Sequence, residues 1–292
     1  MRKESLPLAI SFSLLASLSY ATLTSLIQIL EEFLFVGVII FFQQFFALLI
    51  LLPLISFKSK PYSSLKTKVF HLHLLRTLSS VVAMFCLYVS IHYLPVTDAI
   101  ILSYTRPLFI PLVILVWFKI KWTKNTYTGL ILGFLGVTLI VGFGLIKVNL
   151  YSLLALTTAC IGAIGFTTIS RLAKTESPEQ IVFYYLVLSI PIVSISLLVN
   201  CQIPSTTELY YLVLIGIAAI FFQLFLARAY RYAGAVKVTC LLYFTVPFTY
   251  VIDYFLGKKD FSLVTFCGVA IIILGSIIVI REQKLPQTRS TT

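Results

Sequence analysis

The stretch LYVSIHYLPVTDAIILSYTRPLF, residues Leu87–Phe109, decides the fold because a counterpart, LARAYRYAGAVKVTCLLYFTVPF, lies at Leu226–Phe248. Sliding the chain on itself by about 140 residues places Pro107 on Pro247. Further pairs are Tyr104 with Phe244 and, with one residue of slippage, Gly129 with Gly268 and Gly136 with Gly275. The chain is therefore predicted to contain two copies of one unit, over residues 1–147 and 148–292.

The composition is typical of an integral membrane protein. Of the 292 residues, 60% are hydrophobic and 11% are charged, whereas soluble domains have roughly half and a quarter. The apolar residues form stretches of about 18 to 24 residues, long enough for a helix to cross roughly 30 Å of hydrocarbon. Lipid gives backbone groups no hydrogen-bond partner, so helices are required. We predict an all-α fold with ten transmembrane helices, over residues 7–30, 34–56, 74–93, 96–118, 126–143, 150–172, 181–200, 208–229, 236–256 and 262–280.

The basic residues predict the orientation. The net charge of +12 would suggest a nucleic-acid partner in a soluble protein, but the Lys and Arg lie in loops and at helix ends, so we expect none. With the N-terminus in the cytoplasm, 18 Lys and Arg fall on that side and three, Lys147, Lys258 and Lys259, fall outside. This bias predicts cytoplasmic N- and C-termini. We expect a multi-pass protein of the bacterial inner (plasma) membrane.

An odd number of helices in each copy inverts the second copy. After five helices the chain lies on the opposite side of the bilayer, so the second unit must have the inverted orientation. This is the inverted-repeat plan of secondary carriers, whose substrate site lies near the midplane between the repeats. The predicted fold is therefore ten helices in two inverted five-helix repeats.

Short motifs in both halves resemble one known family. In the first half they are Arg76, Tyr93-Leu94-Pro95, Asp98-Ala99, Pro107-Leu108-Phe109, Gly129, Gly133 and Gly136; in the second they are Arg231-Tyr232, Ala235, Leu242-Tyr243, Pro247-Phe248, Leu256-Gly257, Gly268 and Gly275. With these motifs the chain resembles the EamA branch of the drug/metabolite transporter superfamily. The resemblance implies ten helices, cytoplasmic termini and a central cavity lined mainly by helices 1, 3, 4, 6, 8 and 9.

A narrower resemblance and two departures concern the substrate. His73-Leu74-Leu75-Arg76 and Pro95-Val96-Thr97 are similar to the S-adenosylmethionine uptake carriers of intracellular bacteria. Family members usually end the fourth and ninth helices with Gly-Glu or Asn-Glu, but this chain has Phe118-Lys119-Ile120-Lys121 and Gly257-Lys258-Lys259-Asp260. An arginine frequent in the second helix is replaced by Gln43 or Gln44, which removes one positive charge.

Arg106 is the first candidate for substrate binding. It lies about ten residues into the fourth predicted helix, or about 15 Å deep at 1.5 Å per residue. An unpaired guanidinium at that depth costs from about 3 to more than 10 kcal/mol, so it should face the bundle interior and have a partner. That partner is either a substrate carboxylate or phosphate, bound by two parallel hydrogen bonds, or an internal acid that locks the helices.

Two acidic residues are candidate partners. Arg106 corresponds to Val246 in the repeat, and Asp253 lies seven residues beyond Val246, so both are predicted to face one cavity. The predicted depths differ by about 10 Å, too far for direct contact at 1.5 Å per residue. A zwitterionic substrate bridging Arg106 and Asp253 fits this separation. Asp98 is a further acid near the predicted outer mouth, and we assign it to gating.

Polar and aromatic residues at mid-helix positions complete the predicted substrate site. Aromatic faces hold cations or heterocycles, and hydroxyls orient them. Ordinary packing or lipid contact is the alternative for each residue taken singly. The predicted set is Tyr20, Tyr88, Ser103, Tyr104, Phe166, Gln223 and Tyr243.

Pro107 and Pro247 are predicted gating residues. Proline inside a helix leaves a carbonyl unpaired and kinks the helix. Paired kinks beside a central site suit alternating access, although transmembrane helices also tolerate proline without such a role.

The predicted function is secondary transport of a small polar or zwitterionic metabolite, amino-acid-like or S-adenosylmethionine-like, by alternating access. Export of drugs or amino acids is the alternative. An enzyme is disfavoured because no metal-ligand spacing or nucleophile with a base is visible, and a channel because no ring of like charges is visible. We expect no cofactor or metal. Coupling to protons or to a counter-substrate, and the oligomeric state, stay open.

Overall fold

The computed structural model describes residues 5–30, 32–56, 66–94, 96–120, 122–141, 150–200, 202–257 and 263–282. These residues form helices joined by short connections. The helices are α1 Leu6–Leu30, α2 Val36–Ser56, α3 Phe70–Tyr93, α4 Val96–Ser103, α5 Arg106–Phe118, α6 Lys124–Val141, α7 Leu150–Leu172, α8 Pro178–Ser194, α9 Thr206–Tyr232, α10 Ala235–Leu241, α11 Thr245–Phe255 and α12 Leu263–Arg281, with 3₁₀ turns at Ile195–Leu198 and Leu242–Phe244.

The helices make ten apolar spans, which confirms the predicted number. Ten stretches of the described chain are long and apolar enough to cross a membrane. The fourth span consists of α4 and α5, and the ninth of α10, a 3₁₀ turn and α11. With the 3₁₀ turn Ile195–Leu198 counted as the end of the seventh span, every observed bound lies within four residues of its prediction. The predicted bounds at 143 and 262 lie outside the described residues, as do Lys147, Lys258 and Lys259, the three basic residues predicted on the outer side.

The packing of the spans shows the twofold relation between the halves. The first span packs against the eighth, and the third against the sixth, so exchange of the halves turns one contact into the other. The same exchange relates the contact of spans one and nine to that of spans four and six. The fifth and tenth spans pack on each other, as do the second and seventh. All-helical structure with two such units confirms the predicted fold class.

The breaks in the fourth and ninth spans follow from the paired prolines. A proline ring clashes with the carbonyl four residues earlier but is tolerated in the first turn of a helix. Four residues before Pro107 is Ser103, the last residue of α4, and Pro107 lies in the first turn of α5. Four residues before Pro247 is Tyr243, which lies in the 3₁₀ turn. The Thr105 hydroxyl donates to the Leu102 carbonyl at 2.6 Å and so satisfies one carbonyl freed by the break.

Serine caps begin two helices of the second half. The Ser177 hydroxyl accepts a hydrogen bond from the Gln180 amide, and the Gln180 side chain accepts one from the Ser177 amide. Ser205 and Glu208 make the same reciprocal pair at the start of α9. Such capping boxes satisfy amides that a helix leaves without a partner. The starts of α8 and α9 are therefore encoded locally.

Glycines bring α6 and α12 into backbone contact. A Cβ atom at Gly136 would lie 2.6 Å from the Gly268 carbonyl oxygen, and one at Gly129 would lie 2.7 Å from the Gly275 carbonyl oxygen. Small residues permit this close approach, which supplies much of helix association in lipid. These are the glycines paired by the sequence repeat, so the repeat places them where the two halves meet.

Replacement of Gly136 by leucine should destabilise the protein. The new side chain has backbone on its facing side, and overpacking typically costs about 1–3 kcal/mol. We expect a melting temperature in detergent several degrees below that of the wild type. The matched control is Leu135→Phe, because Leu135 is 45% exposed on the same helix and faces outward. Equal melting temperatures for Gly136→Leu and the wild type would contradict the close contact.

Candidate substrate cavity

A cavity of about 380 Å³ lies at the centre of the bundle. Its wall includes residues of spans one, three, four, six, eight and nine, the set that the family resemblance implied, together with residues of spans two, five and seven. Both halves therefore contribute to one site. A central cavity lined by polar and aromatic side chains is the usual form of a small-molecule site.

Nine of the twelve residues predicted from the sequence line this cavity. They are Tyr20, Ser103, Tyr104, Arg106, Pro107, Phe166, Gln223, Tyr243 and Asp253. Pro247 is buried in α11 and is not among the lining residues. The side chains of Tyr88 and Asp98 lie outside the described part of the chain. The placement brings most of the predicted set together, and the roles of these residues stay predictions.

Arg106 forms the positive side of the cavity. It is the first residue of α5, so the break before Pro107 places it at a helix N-terminus, where the peptide dipoles also favour negative charge. Its guanidinium carbon lies 4.8 Å from the centroid of the Phe166 ring. Within the described part of the chain, no ion pair of Arg106 is seen and its Nε has no hydrogen-bond partner. The guanidinium therefore keeps hydrogen-bonding capacity for an anion.

The position of Arg106 depends on Gly162. A Cβ atom at Gly162 would lie 2.6 Å from the Arg106 Nε and 3.0 Å from its Cζ. Gly162 and Phe166 are one turn apart on α7, so the missing side chain at Gly162 makes the space in which the guanidinium reaches the Phe166 ring. Cation–π contacts of this kind contribute about 0.5–2 kcal/mol.

Asp253 forms the negative side of the same cavity. It is 3% exposed and lies near the end of α11, two turns beyond Val246. Asp253 is the acidic residue among the described lining residues, as Arg106 is the basic one. No ion pair between the two residues is seen in the described part of the chain, and Asp253 has an interaction of its own. One cavity thus carries two separated and opposite charges.

Arg76 holds a network that the sequence analysis did not predict. It was counted there among the cytoplasmic charges at the start of the third helix, but α3 begins at Phe70 and Arg76 is 1% exposed. Its guanidinium donates to the Ile181 carbonyl and, at 2.8 Å, to the Gln223 Oε1. Its Cζ also lies 4.5 Å from the Tyr185 ring centroid. The signal that could have found it is that no Lys, Arg, Asp or Glu follows Arg76 until Asp98.

Tyr243 lines the cavity and has a buried hydroxyl group without a hydrogen-bond partner among the described residues. Its side chain is fully buried in the 3₁₀ turn of the ninth span, and its ring occupies the space left open by Gly133, where a Cβ would lie 2.7 Å away. The Tyr243 hydroxyl has no hydrogen-bond partner among the described residues. Buried hydroxyls normally have one.

The cavity extends toward one end of the bundle. Gln28 near the end of α1, Val141 at the end of α6 and Asp253 near the end of α11 all line it. At the opposite end, Phe12 near the start of α1 stacks on the rings of Phe225 and Tyr232, at 6.1 and 5.9 Å between centroids. None of these three rings lines the cavity, whose residues on α1 begin at Tyr20.

A family comparison identifies the class of protein to which this cavity belongs. The model of the EamA-like transporter family matches residues 7–142 and again residues 149–281. The chain belongs to this family. Its two matched units are the two halves related by the packing of the spans, and the family is part of the drug/metabolite transporter superfamily.

Similar proteins with assigned names are transporters. The pseudopaline exporter CntI of Pseudomonas aeruginosa is 24% identical over 275 residues, covering 93% of this chain and 95% of the relative. The riboflavin transporter of Brucella anthropi is 25% identical, covering 85% and 88%. The S-adenosylmethionine uptake transporter of Rickettsia felis is 27% identical, covering 85% and 84%. A solved crystal structure shares the fold, with a TM-score of 0.80 at 15% identity over 95% of this chain and 98% of that chain.

Family and fold together define the broad activity. The chain is a multi-pass membrane transporter and not an enzyme, because the EamA-like family and the named relatives are transporters. Relatives that carry different small molecules in different directions share this scaffold. The substrate must therefore be argued from the cavity itself.

Gly162→Ala should displace Arg106 without unfolding the protein. The added methyl group meets the movable end of a side chain and not backbone, so the melting temperature should change little. Loss of the Phe166 contact should raise the KM for an anionic or zwitterionic substrate by about 2- to 30-fold, the equivalent of about 0.5–2 kcal/mol.

The matched control is Gly165→Ala on the same helix, where a Cβ would lie 3.1 Å from the Ser79 and Ser80 hydroxyls and away from Arg106. Transport measured in liposomes should separate the two variants. An unchanged KM in Gly162→Ala would contradict the role of this glycine.

Proposed function

We propose that the chain is a secondary transporter that moves a small zwitterionic or polar metabolite, amino-acid-like or S-adenosylmethionine-like, by alternating access. The observation that carries the proposal is that Arg106 and Asp253, one from each half, line one cavity. A substrate with an anionic and a cationic group can place one group at each of these two residues. Small metabolites with a carboxylate and a cationic centre meet this condition.

The positive side of the site suits a carboxylate. A guanidinium binds a carboxylate through two parallel hydrogen bonds, and the N-terminus of α5 adds partial positive charge. Stacking on Phe166 holds the guanidinium plane in one orientation. Arg106 thus binds the anionic group of the substrate, while Tyr104, Ser103 and Tyr243 orient the neighbouring atoms.

The negative side suits an amine or another cationic centre. Asp253 is buried at the end of the cavity away from the aromatic packing around Phe12. A cation bound in the cavity would stabilise the ionised carboxylate of Asp253. A bound proton would instead neutralise it. Asp253 therefore accepts either the substrate cation or a coupling proton, so exchange and proton-coupled transport both use the same residue.

The breaks before Pro107 and Pro247 suit alternating access. Each interrupts the span that carries a charged residue of the site, and the two are related by the repeat. Flexing at one break moves half of a span while the other span stays intact. Opening of one face of the cavity would then be tied to closure of the other.

Orientation and location complete the proposal. With both termini in the cytoplasm of a bacterial cell, as the loop charges predict, the cavity of this structure approaches the outer face of the inner membrane. Residues 1–147 and 148–292 would be the two inverted units. Export of drugs or amino acids is the second candidate function, and it is favoured by similarity to a named exporter.

Removal of either charge should impair transport of zwitterions. In proteoliposomes with labelled amino acids, nucleosides and S-adenosylmethionine, we expect saturable uptake that is stimulated by substrate inside the vesicles. Arg106→Lys loses the two parallel hydrogen bonds and Asp253→Asn loses the charge, and each should lower kcat/KM at least about tenfold, since hydrogen bonds to charged groups contribute about 1.5–3 kcal/mol.

Arg171→Lys is the matched control, because Arg171 is exposed at the end of α7 and does not line the cavity. Normal transport by well-expressed Arg106→Lys and Asp253→Asn would overturn the proposal. Ion currents far above carrier rates would indicate a channel instead.

A further inference from the structure

One wall of the cavity carries no charge. The lining residues contributed by α1, α2, α8 and α9 include neither acids nor bases among those that the structure describes. We call their polar members the neutral wall: Tyr20, Thr24, Gln28, Gln43, Gln44, Tyr185 and Gln223. This wall is rich in amides and aromatic rings, whereas Arg106 and Asp253 lie on other helices. A different part of the substrate must face it.

Arg76 fixes the orientation of one amide in the neutral wall. A guanidinium donates hydrogen bonds and accepts none. The Gln223 atom 2.8 Å from the Arg76 Nη2 must therefore be the carbonyl oxygen. The Gln223 amide nitrogen then points away from Arg76, and among the described residues it has no hydrogen-bond partner. Gln223 thus offers a donor to the cavity that cannot flip to become an acceptor.

Further contacts keep Arg76 in place behind the wall. Its second hydrogen bond goes to the Ile181 carbonyl, and its guanidinium lies over the Tyr185 ring. The Tyr185 hydroxyl is in turn 3.1 Å from the Gln44 Nε2. Four helices, α2, α3, α8 and α9, are joined by this chain. A hydrogen bond from a cation also polarises the Gln223 amide and strengthens its N–H as a donor.

We propose that Gln223 is a specificity subsite for an uncharged hydrogen-bond acceptor, a carbonyl oxygen or ring nitrogen of a planar group, and that Arg76 is its positioning residue. The inference rests on the proposed function and adds a third recognition element to the two charges. An anionic group goes instead to Arg106, which offers a full charge to the cavity. The rings of Tyr20 and Phe222, 4.7 Å apart, provide flat surfaces beside the subsite.

The decisive variant is Gln223→Glu. A glutamate still offers an oxygen to Arg76, and as an ion pair it should leave the melting temperature equal to or above that of the wild type. Its second oxygen then replaces the amide nitrogen and faces the cavity as an acceptor. If Gln223 serves only as a hydrogen-bond acceptor for Arg76, Gln223→Glu should bind ligands normally. If the Gln223 amide also donates to the ligand, the variant should lose its preference for ligands with an acceptor atom.

The experiment is equilibrium binding to the full chain in nanodiscs, which does not depend on transport. The probes are adenosine, nicotinamide and riboflavin, each compared with deaza isosteres in which one ring nitrogen is replaced by C–H. We expect at least one probe to bind the wild type about tenfold better than one of its isosteres, the effect of one good hydrogen bond. Gln223→Glu should reduce this ratio to about one.

Arg76→Lys tests positioning, because lysine keeps the charge but loses the fixed pair of bonds. It should lower the preference for acceptor over isostere, whereas a purely structural defect would weaken both probes equally. Arg171→Lys should retain the wild-type ratio. Binding of none of the probes to the wild type, or an unchanged ratio in Gln223→Glu, would overturn the proposal. Normal transport by Arg106→Lys and Asp253→Asn would overturn the proposed function but would not change the ratio of probe to isostere binding. The two proposals can therefore fail independently.

Discussion

Backbone groups that leave a helix inside a bilayer must find partners in protein or water, because lipid offers none. The breaks in the fourth and ninth spans therefore exist only because they are enclosed by other helices and border a cavity. Each break follows from a proline whose ring excludes the helical carbonyl four residues earlier. The break in the fourth span makes Arg106 the first residue of a half-helix, and that in the ninth places Tyr243 in a 3₁₀ turn. The two helix breaks therefore determine where Arg106 and Tyr243 lie in the site.

Two arginines in the same bundle have different roles because their surroundings differ. Arg76 is enclosed, with its hydrogen bonds directed to protein oxygens and its face on Tyr185. Arg106 reaches the cavity, leans on Phe166 in the space left by Gly162, and has no internal acid among the described residues. The first stabilises the arrangement of four helices, and the second is available to a ligand.

The sequence predicts the spans and the repeat well because both depend on local properties. Length and hydropathy define where a helix crosses lipid, and Pro107 and Pro247 mark the same interruption in each half. The common cavity of Arg106 and Asp253 also follows, since helical periodicity places them on corresponding faces. Arg76 was predicted only as the residue that opens the third helix, and its enclosure by other helices was not predicted. Its contacts with Gln223 and Ile181 depend on tertiary packing that no local pattern encodes.

The replacement of an arginine by glutamine in the second helix can be explained by the charges of the cavity. Where relatives often carry an arginine, this chain has Gln43 and Gln44, and both line the neutral wall. A second cation in the cavity, in addition to Arg106, would have left it with net positive charge and would have repelled a substrate amine. With glutamine, the charges of Arg106 and Asp253 balance, and the donor set by Arg76 lies beside neutral amides. Selectivity between related carriers on this scaffold can therefore change through a single wall residue without any change in the fold.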